Sequence, residues 1–383
     1  MSTWRPAPDD MQGLRVAAII DGGEVTGPLR QLAALVAPLA ARGVSLMPIV
    51  FQRAGKSGNA HIEFLRRHGI EPHVLRDKGA FDPAPVRQFR HFVREWRPHI
   101  VQTHGYRPTA VAWWSGRAGR DWRWLGWHHG ITSENWKVRL YHALDRLLLP
   151  HADQLIVVAG SQADRFRRAR GRIEVIHNAV IDAPPVSDAL VDRVPETPLR
   201  PVIAVVGRLS PEKGVDVMFR ALALMQDAGV RPSLLLAGEG PERQVLERLA
   251  AELDVSAQVH FLGHVADVAA VYRMADLVVL PSRSEGLPNS LLEALRADRP
   301  VVSTAVGAVP EVLTDALAGI LVPPEDPQAL AQGILLALQT LGSEPARAAR
   351  SATLERFSLA TRVERHMSLY RRMTSQVSEA RLL

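Results

Sequence analysis

Glu285 and Glu293 stand at the two ends of Glu285-Gly-Leu-Pro-Asn-Ser-Leu-Leu-Glu293, just after the apolar run Leu277 to Leu280. Gly286 and Pro288 shape a turn, and Asn289 or Ser290 has the side chain to cap the helix that follows. Backbone N–H groups around Leu287 to Leu291 would then be open to a phosphate. Glu293, placed in the first helical turn, can accept two hydrogen bonds from a ribose diol, and Glu285 lies in the loop, nearer a reacting sugar. A second group is Gly207-Arg-Leu-Ser-Pro-Glu-Lys-Gly214, where Arg208 and Lys213 follow the apolar run Val202 to Val206. A guanidinium fork and an ammonium at the mouth of a helix suit a diphosphate. Each group has a plainer reading: a capped helix with an acidic start, and two solvated cations at a turn.

The first half carries fewer such residues. Gly22-Gly23 after the run Leu14 to Ile20 permits a close backbone approach to a ligand, and is also an ordinary turn. His129 in His128-His129-Gly130 and His104 in His104-Gly105 each end an apolar run. A histidine there can donate to a sugar hydroxyl or stabilise developing charge, or simply support the strand end. HExxH, nucleophile-elbow and Walker patterns are missing: Ser161 lacks the flanking glycine frame, and Gly55-Lys56-Ser57 lacks the upstream glycine, since Val50 stands there. No spacing of metal-ligand type occurs, so a bound metal is not expected.

These residues need elements to hold them, and the chain is long enough for two cores. It has 383 residues, 47% hydrophobic and 22% charged, which excludes disorder as the main state. Cysteine is absent, which excludes disulfide frameworks, thiolate zinc sites and thiol nucleophiles. The most apolar region, Leu144 to Val158, is broken by Asp145, Arg146, His151, Asp153 and Gln154, so no membrane span is expected. The opening residues lack a secretory pattern, and a cytoplasmic protein is expected. Charge is uneven: the first 180 residues hold 26 Lys+Arg against 15 Asp+Glu, the remainder 20 against 25.

Apolar runs of strand length alternate with helical periodicity along both halves. In the first half, strands are expected at Leu14–Ile20, Val44–Phe51 (despite Pro48), His99–Thr103, Trp124–Trp127, Leu155–Val158 and Ile173–Ile176, with helices between. Five prolines between Pro184 and Pro201 mark a spacer. The second half repeats the alternation from Val202 to Val322, and helices close the chain at Ala329–Leu341 and Ser358–Met373. The expected class is α/β: two doubly wound parallel-sheet domains facing across a cleft, with ligands at the carboxyl ends of strands.

The ordered series Asp21-Gly22-Gly23, His129-Gly130, Val175-Ile-His-Asn178, Gly207-Arg208 with Lys213-Gly214, Gly238-Glu239-Gly240, Val259-His-Phe-Leu-Gly263, Glu285-Gly-Leu-Pro-Asn289 with Glu293, and Gly307 with Pro310-Glu311 resembles the retaining GT-B glycosyltransferases of family 4, the glycosyl transferases group 1. The resemblance covers most of the chain. It implies an N-terminal acceptor-side domain at 1–183, a linker at 184–200, a donor domain at 201–356 and a helix at 357–383 returning to the first domain. It implies a nucleotide-sugar donor, UDP-linked by family frequency, and a glycan or lipid-linked acceptor in cell-surface polysaccharide or glycolipid synthesis. Carried over, Arg208 and Lys213 neutralise the diphosphate, Glu293 binds ribose, and Glu285 and His129 contact the donor sugar. Gly22, Gly23, Gly207, Gly238, Leu287, Pro288, Asn289 and Ser290 line the donor. No cofactor or metal is implied. The chain departs from the family at Asn178-Ala179, where the family has asparagine-glycine.

Six of the eight tryptophans fall between Trp113 and Trp136, interleaved with Arg117, Arg120 and Arg123, and Arg165 to Arg172 form a second basic run. Tryptophan with arginine suits an anionic membrane surface, so peripheral docking on the inner face is expected, against the alternative that these rings pack in the core. Nucleic-acid signatures are lacking and no nucleic-acid partner is expected. A nucleotide-sugar 2-epimerase of the same architecture and a non-catalytic sugar-nucleotide-binding protein are the rival functions.

Overall fold

In the computed structural model, two parallel sheets form, each with the strand order that reverses direction once. The structure describes residues 11–21, 25–55, 58–79, 82–117, 119–129, 143–166, 169, 172–181, 199–265 and 268–375. Among them, one unit takes 11–129, 143–179 and 359–375, and the other 180–181 and 199–358.

The first unit runs β1 (Leu14–Ile20), α1 (Gly27–Ala40), β2 (Val44–Arg53), α2 (Ala60–Arg67), β3 (His73–Asp77), α3 (Ala84–Trp96), β4 (Ile100–His104), α4 (Tyr106–Gly116), β5 (Arg123–His128), α5 (143–148), β6 (Gln154–Val157) and β7 (Arg172–Val175). Its seven strands lie in the order β3-β2-β1-β4-β5-β6-β7. Central strands have helices on both faces and read as continuous apolar runs, as β1 does. Pro48 sits inside β2 opposite Ala18, whereas pairing with β3 starts only at Ile49. On the β3 side, then, no ladder partner meets the missing N–H. Asn59 starts α2 by accepting from the backbone N–H groups of His61 and Ile62.

The second unit runs β8 (Val202–Val206), α6 (Val215–Asp227), β9 (Ser233–Ala237), α7 (Arg243–Glu252), β10 (Val259–Gly263), α8 (Val268–Met274), β11 (Leu277–Leu280), α9 (Asn289–Arg296), β12 (Val301–Thr304), α10 (Val309–Val312), β13 (Ile320–Val322), α11 (Pro327–Thr340) and α12 (Glu344–Arg356). Its order is β10-β9-β8-β11-β12-β13. The last helix, α13 (Leu359–Ser375), belongs to the first unit, where Val363, Met367, Leu369, Tyr370 and Met373 join Leu32, Leu35 and Trp127 in one core.

The order reverses between β1 and β4 in one sheet and between β8 and β11 in the other. Loops leaving neighbouring strands at such a point part to opposite faces and open a crevice at the carboxyl ends, where ligands of these sheets bind. No helix among the described residues is long and apolar enough to cross a membrane. Trp122, Trp124 and Trp127 are buried, and Trp124 Nε1 donates to Thr103 Oγ1 at 3.0 Å. These three rings therefore fill the core of the first unit and cannot face a lipid surface, which corrects that part of the tryptophan–arginine expectation. Trp114 remains 48% exposed, with Arg117 over both the Trp113 and Trp114 rings. Trp136, Arg167, Arg168 and Arg170 lie outside the described residues.

Candidate functional site

The reversal point of the second sheet gathers the residues singled out after β8 and β11. Pro211–Lys213 makes one tight helical turn, and Gly214 then starts α6. Lys213 Nζ lies 2.6 Å from Glu285 Oε1, which also accepts from Ser282 Oγ at 2.7 Å. The ammonium is thus held by a largely buried carboxylate, at a place where a diphosphate would meet it. A cavity of about 10 Å³, room for one water, lies beneath, walled by Gly207, Arg208, Lys213, Ser282, Glu285 and Ser290.

Two close approaches fix this floor. A Cβ on Gly238 would stand 1.8 Å from the Gly207 carbonyl oxygen, so these glycines let two strand-end loops cross. Gly214, at φ +62°, turns its bare face to the Pro281 backbone. A residue the sequence reading overlooked ties the loop down: Arg283 bonds both oxygens of Asp216, at 2.7 Å each, and the Pro211 carbonyl at 2.8 Å, and pairs with Glu325.

Two expectations about α9 are corrected. Pro288, not Asn289 or Ser290, occupies the cap position, and no side chain caps the helix. Because α9 already begins at Asn289, Glu293 falls in its second turn. Leu291 N bonds the Pro288 carbonyl, so that N–H is not open to a phosphate. Glu293 Oε2 accepts from Tyr272 Oη at 3.0 Å. Burial, and then the Glu293 charge, hold the Tyr272 hydroxyl well above its usual range, so it stays a donor to that carboxylate. Leu287 is buried and contributes to the loop's seat.

The reversal point of the first sheet is lined differently. A pocket of about 700 Å³ opens beside Asp21, Phe51, Arg53, Asp77, Gly105 and Arg107. Arg107 reaches both oxygens of Asp21 at 3.1 and 3.3 Å and Asp77 Oδ2 at 3.0 Å, with its guanidinium 4.3 Å from the centre of the Phe51 ring. Arg53 Nε is 3.5 Å from Asp77 Oδ1. Phe51, Arg53, Asp77 and Arg107 were not singled out from the sequence as site residues, because their chain separations show no local pattern. Gly22 and Gly23 lie outside the described residues, as does Gly130.

His129 leaves β5 half-buried, with Nε2 2.8 Å from His104 Nδ1. Burial first, and the charge of Arg362 second, push His129 and His366 down to about 3. Burial, then His129, Arg362 and His366, holds His104 well below its ordinary value. Burial raises the Asp145 carboxyl to about 7. The signs oppose. The unfolded histidines bind protons below about pH 6.5 that the native rings refuse, so stability falls as pH drops through that value. Asp145 holds a proton that the unfolded chain releases above about 3.9, so its contribution grows as pH falls from 7. The histidines outnumber the one carboxyl, so the first unit should lose stability as pH falls from about 6 to 4.5. All eight tryptophans lie in the first 136 residues, so urea unfolding followed by their fluorescence reads this unit. A urea midpoint unchanged over that range would contradict the sum.

With this geometry in place, the comparisons decide the family. Residues 25–183 match the family model Glycosyltransferase Family 4, and residues 191–353 match Glycosyl transferases group 1. The chain belongs to glycosyltransferase family 4. Glycogen synthase of Mycobacterium tuberculosis is 29% identical to this chain over 288 residues, 69% of this chain and 64% of the relative. D-inositol 3-phosphate glycosyltransferase of Mycolicibacterium smegmatis is 34% identical over 250 residues, 60% of this chain and 55% of the relative. The chain thus spans about three-fifths of the length of these curated relatives. Sucrose-phosphate synthase from Thermosynechococcus elongatus superposes with TM-score 0.74 at 22% identity, over 95% of this chain and 100% of the other. Anabaena HepE in complex with UDP-glucose superposes with TM-score 0.73 at 20% identity, over 93% and 99%. These likenesses show the fold: GT-B, with a Rossmann-like parallel sheet in each unit.

Proposed function

We propose that this family 4 glycosyltransferase moves a sugar, with retention at the anomeric carbon, from a UDP-linked donor to a glycan or lipid-linked acceptor in cell-surface polysaccharide or glycolipid synthesis. The observation that carries the reading is the Lys213–Glu285 pair, seated with Arg208 at the reversal point of the second sheet. UDP is favoured because HepE, which shares the fold, is seen with UDP-glucose.

The bond from the anomeric carbon to the diphosphate oxygen breaks as the acceptor oxygen bonds the same face. The acceptor's hydroxyl proton passes to the leaving diphosphate. Lys213 and Arg208 take up the charge that grows on that leaving group, so no metal or cofactor is invoked. Glu285 positions Lys213 and meets the sugar, His129 donates to a sugar hydroxyl, and Glu293 accepts from the ribose. Gly22, Gly23, Gly207, Gly238, Asn289 and Ser290 let the backbone approach the donor. The pocket at Asp77 and Arg107 takes the acceptor. The exposed Trp114 with Arg117 docks the first unit on an anionic inner membrane face, and flotation with anionic vesicles that leaves Trp114→Ala as well bound as the native chain would overturn that part.

Glu293→Ala is expected to weaken nucleoside diphosphate binding by roughly 10- to 100-fold, the worth of hydrogen bonds to a charged group. Tyr272→Phe, which leaves the carboxylate in place, should cost less. Titration calorimetry measures both. The function itself is tested by incubating the chain with single nucleotide sugars, with and without a membrane or glycan extract. Acceptor-dependent release of the nucleotide supports transfer. Epimer formation from donor alone would establish the epimerase, and binding without turnover would establish a sensor.

A further inference from the structure

Three histidines of the first unit, the buried His104 and His366 and the half-buried His129, stack with Trp127, and the transfer chemistry above uses only His129. His129, His104, Trp127 and His366 lie nearly parallel: His104 and His129 centroids are 5.0 Å apart, Trp127 and His129 5.8 Å, and Trp127 and His366 5.4 Å. His366 and Arg362 come from α13, the last helix of the chain. Arg362 places its guanidinium 5.5 Å from the centre of the Trp127 ring, bonds Asn178 Oδ1 at 3.2 Å and also bonds Gln31 Oε1.

Proton positions follow from which atoms can accept. His366 Nδ1 faces the Arg362 carbonyl at 2.8 Å, and a carbonyl only accepts, so His366 carries its proton on Nδ1 and leaves Nε2 bare. That Nε2 is buried without a partner among the described residues, which a bare lone pair tolerates better than an N–H does. His104 is in the same situation: its Nε2 is buried and unpartnered. Its proton therefore belongs on Nδ1, which donates to His129 Nε2 at 2.8 Å. His129 in turn must carry its own proton on Nδ1, the nitrogen not used in the pair.

The charge around the stack favours the same state. Arg362 is buried among neutral partners, and among the described residues the charged and titratable groups facing these rings are Arg362, His104, His128, His129, His366 and Tyr370, with no carboxylate. A second cation in this cluster would meet an unneutralised guanidinium.

We propose that His104 and Arg362 are positioning residues that hold His129 as a hydrogen-bond donor through Nδ1–H. The consequence is that His129 presents an N–H to its ligand and takes no part in acid–base transfer. The idea rests on the reading that His129 meets the donor sugar, but the tautomer can be read without any substrate.

The test uses the full chain labelled with 15N-histidine and long-range proton–nitrogen correlation, with His129→Asn to assign the signals. The native protein should show His129 protonated on Nδ1 and bare on Nε2, unchanged from about pH 8 to about pH 5.5. His104→Phe keeps a ring but removes the donor, so His129 should no longer be held in one tautomer, showing a mixture of the two, and kcat should fall about 10-fold with KM little changed. His104→Asn, whose amide nitrogen can replace Nδ1, should restore both. Arg362→Met should move the His129 titration upward from its native position, and Arg362→Lys should not. Should Arg362→Met fail to fold, the native spectrum still decides. A proton on His129 Nε2, or on both nitrogens at pH 7, would overturn the proposal. An Nδ1–H tautomer alongside full activity in His129→Ala would instead remove the sugar-contact reading and leave the tautomer assignment standing.

Discussion

Replacing Lys213 with alanine is expected to lower kcat/KM for sugar transfer by about 10²- to 10³-fold, the usual cost of removing one preorganised donor from a developing anion. The leaving diphosphate gains charge as the anomeric bond breaks, and an ammonium already fixed beside it need not reorganise. The fixing agent is Glu285, through its 2.6 Å contact and the second anchor from Ser282. Glu285→Gln keeps the oxygen that accepts from Ser282 and Lys213 but removes the charge that holds the ammonium, so its loss should be smaller but clear. Because the two residues act as a pair, Lys213→Ala with Glu285→Ala should cost about as much as the worse single change, not the product. Steady-state kinetics of the four proteins measures the coupling. Independent, multiplicative losses would mean that Lys213 and Glu285 serve separate steps.

Gly214→Ala is expected to harm fold and activity together. Its Cβ would stand 2.1 Å from the Pro281 carbonyl oxygen and 3.1 Å from the Pro281 carbonyl carbon, at a backbone φ of +62°. Left-handed geometry costs an alanine about 1–2 kcal/mol, and overpacking against rigid backbone adds roughly 1–3 kcal/mol. The loop after β11 would have to withdraw, taking Ser282 and Glu285 away from Lys213. Gly229→Ala supplies the control: it has φ +83°, but nothing lies within 4 Å of the added atom, so only the conformational part should appear. Urea unfolding of both variants by circular dichroism separates the two contributions. Equal losses would show that the approach to Pro281 relaxes freely.

How far the sequence could be read depended on the distance over which each feature is encoded. The parallel sheets were legible because buried central strands are short apolar runs, and Lys213, Glu285 and Glu293 were legible because each stands in a compact motif beside a strand end. What the motifs could not give is which distant side chain completes them. Tyr272 reaches Glu293 from α8, and Arg283 fastens Asp216 and Glu325, pairs that only the folded sheet brings together. The pocket at Asp77 and Arg107 joins the ends of four strands and leaves no local trace. Helix α12 was missed because Glu344–Arg356 has few apolar positions; the buried Arg350, bonded to Asp298 at 2.6 Å and to the Leu341 carbonyl at 2.9 Å, holds it in place. The tryptophans misled for the opposite reason. Composition marks Trp122, Trp124 and Trp127 as membrane-like, but β5, with Trp122 just before it, buries all three in the core.

The central claim is that the reversal point of the second sheet binds a nucleoside diphosphate through Lys213 and Arg208, with Glu293 on the ribose. Titration calorimetry of UDP, alongside ADP and GDP, into the native chain and into Lys213→Ala, Arg208→Ala and Glu293→Ala tests it most directly. UDP is expected to bind in preference to the other two, weakened roughly 10-fold or more in each variant. Binding of equal strength in all four folded proteins, or none in the native one, would contradict it.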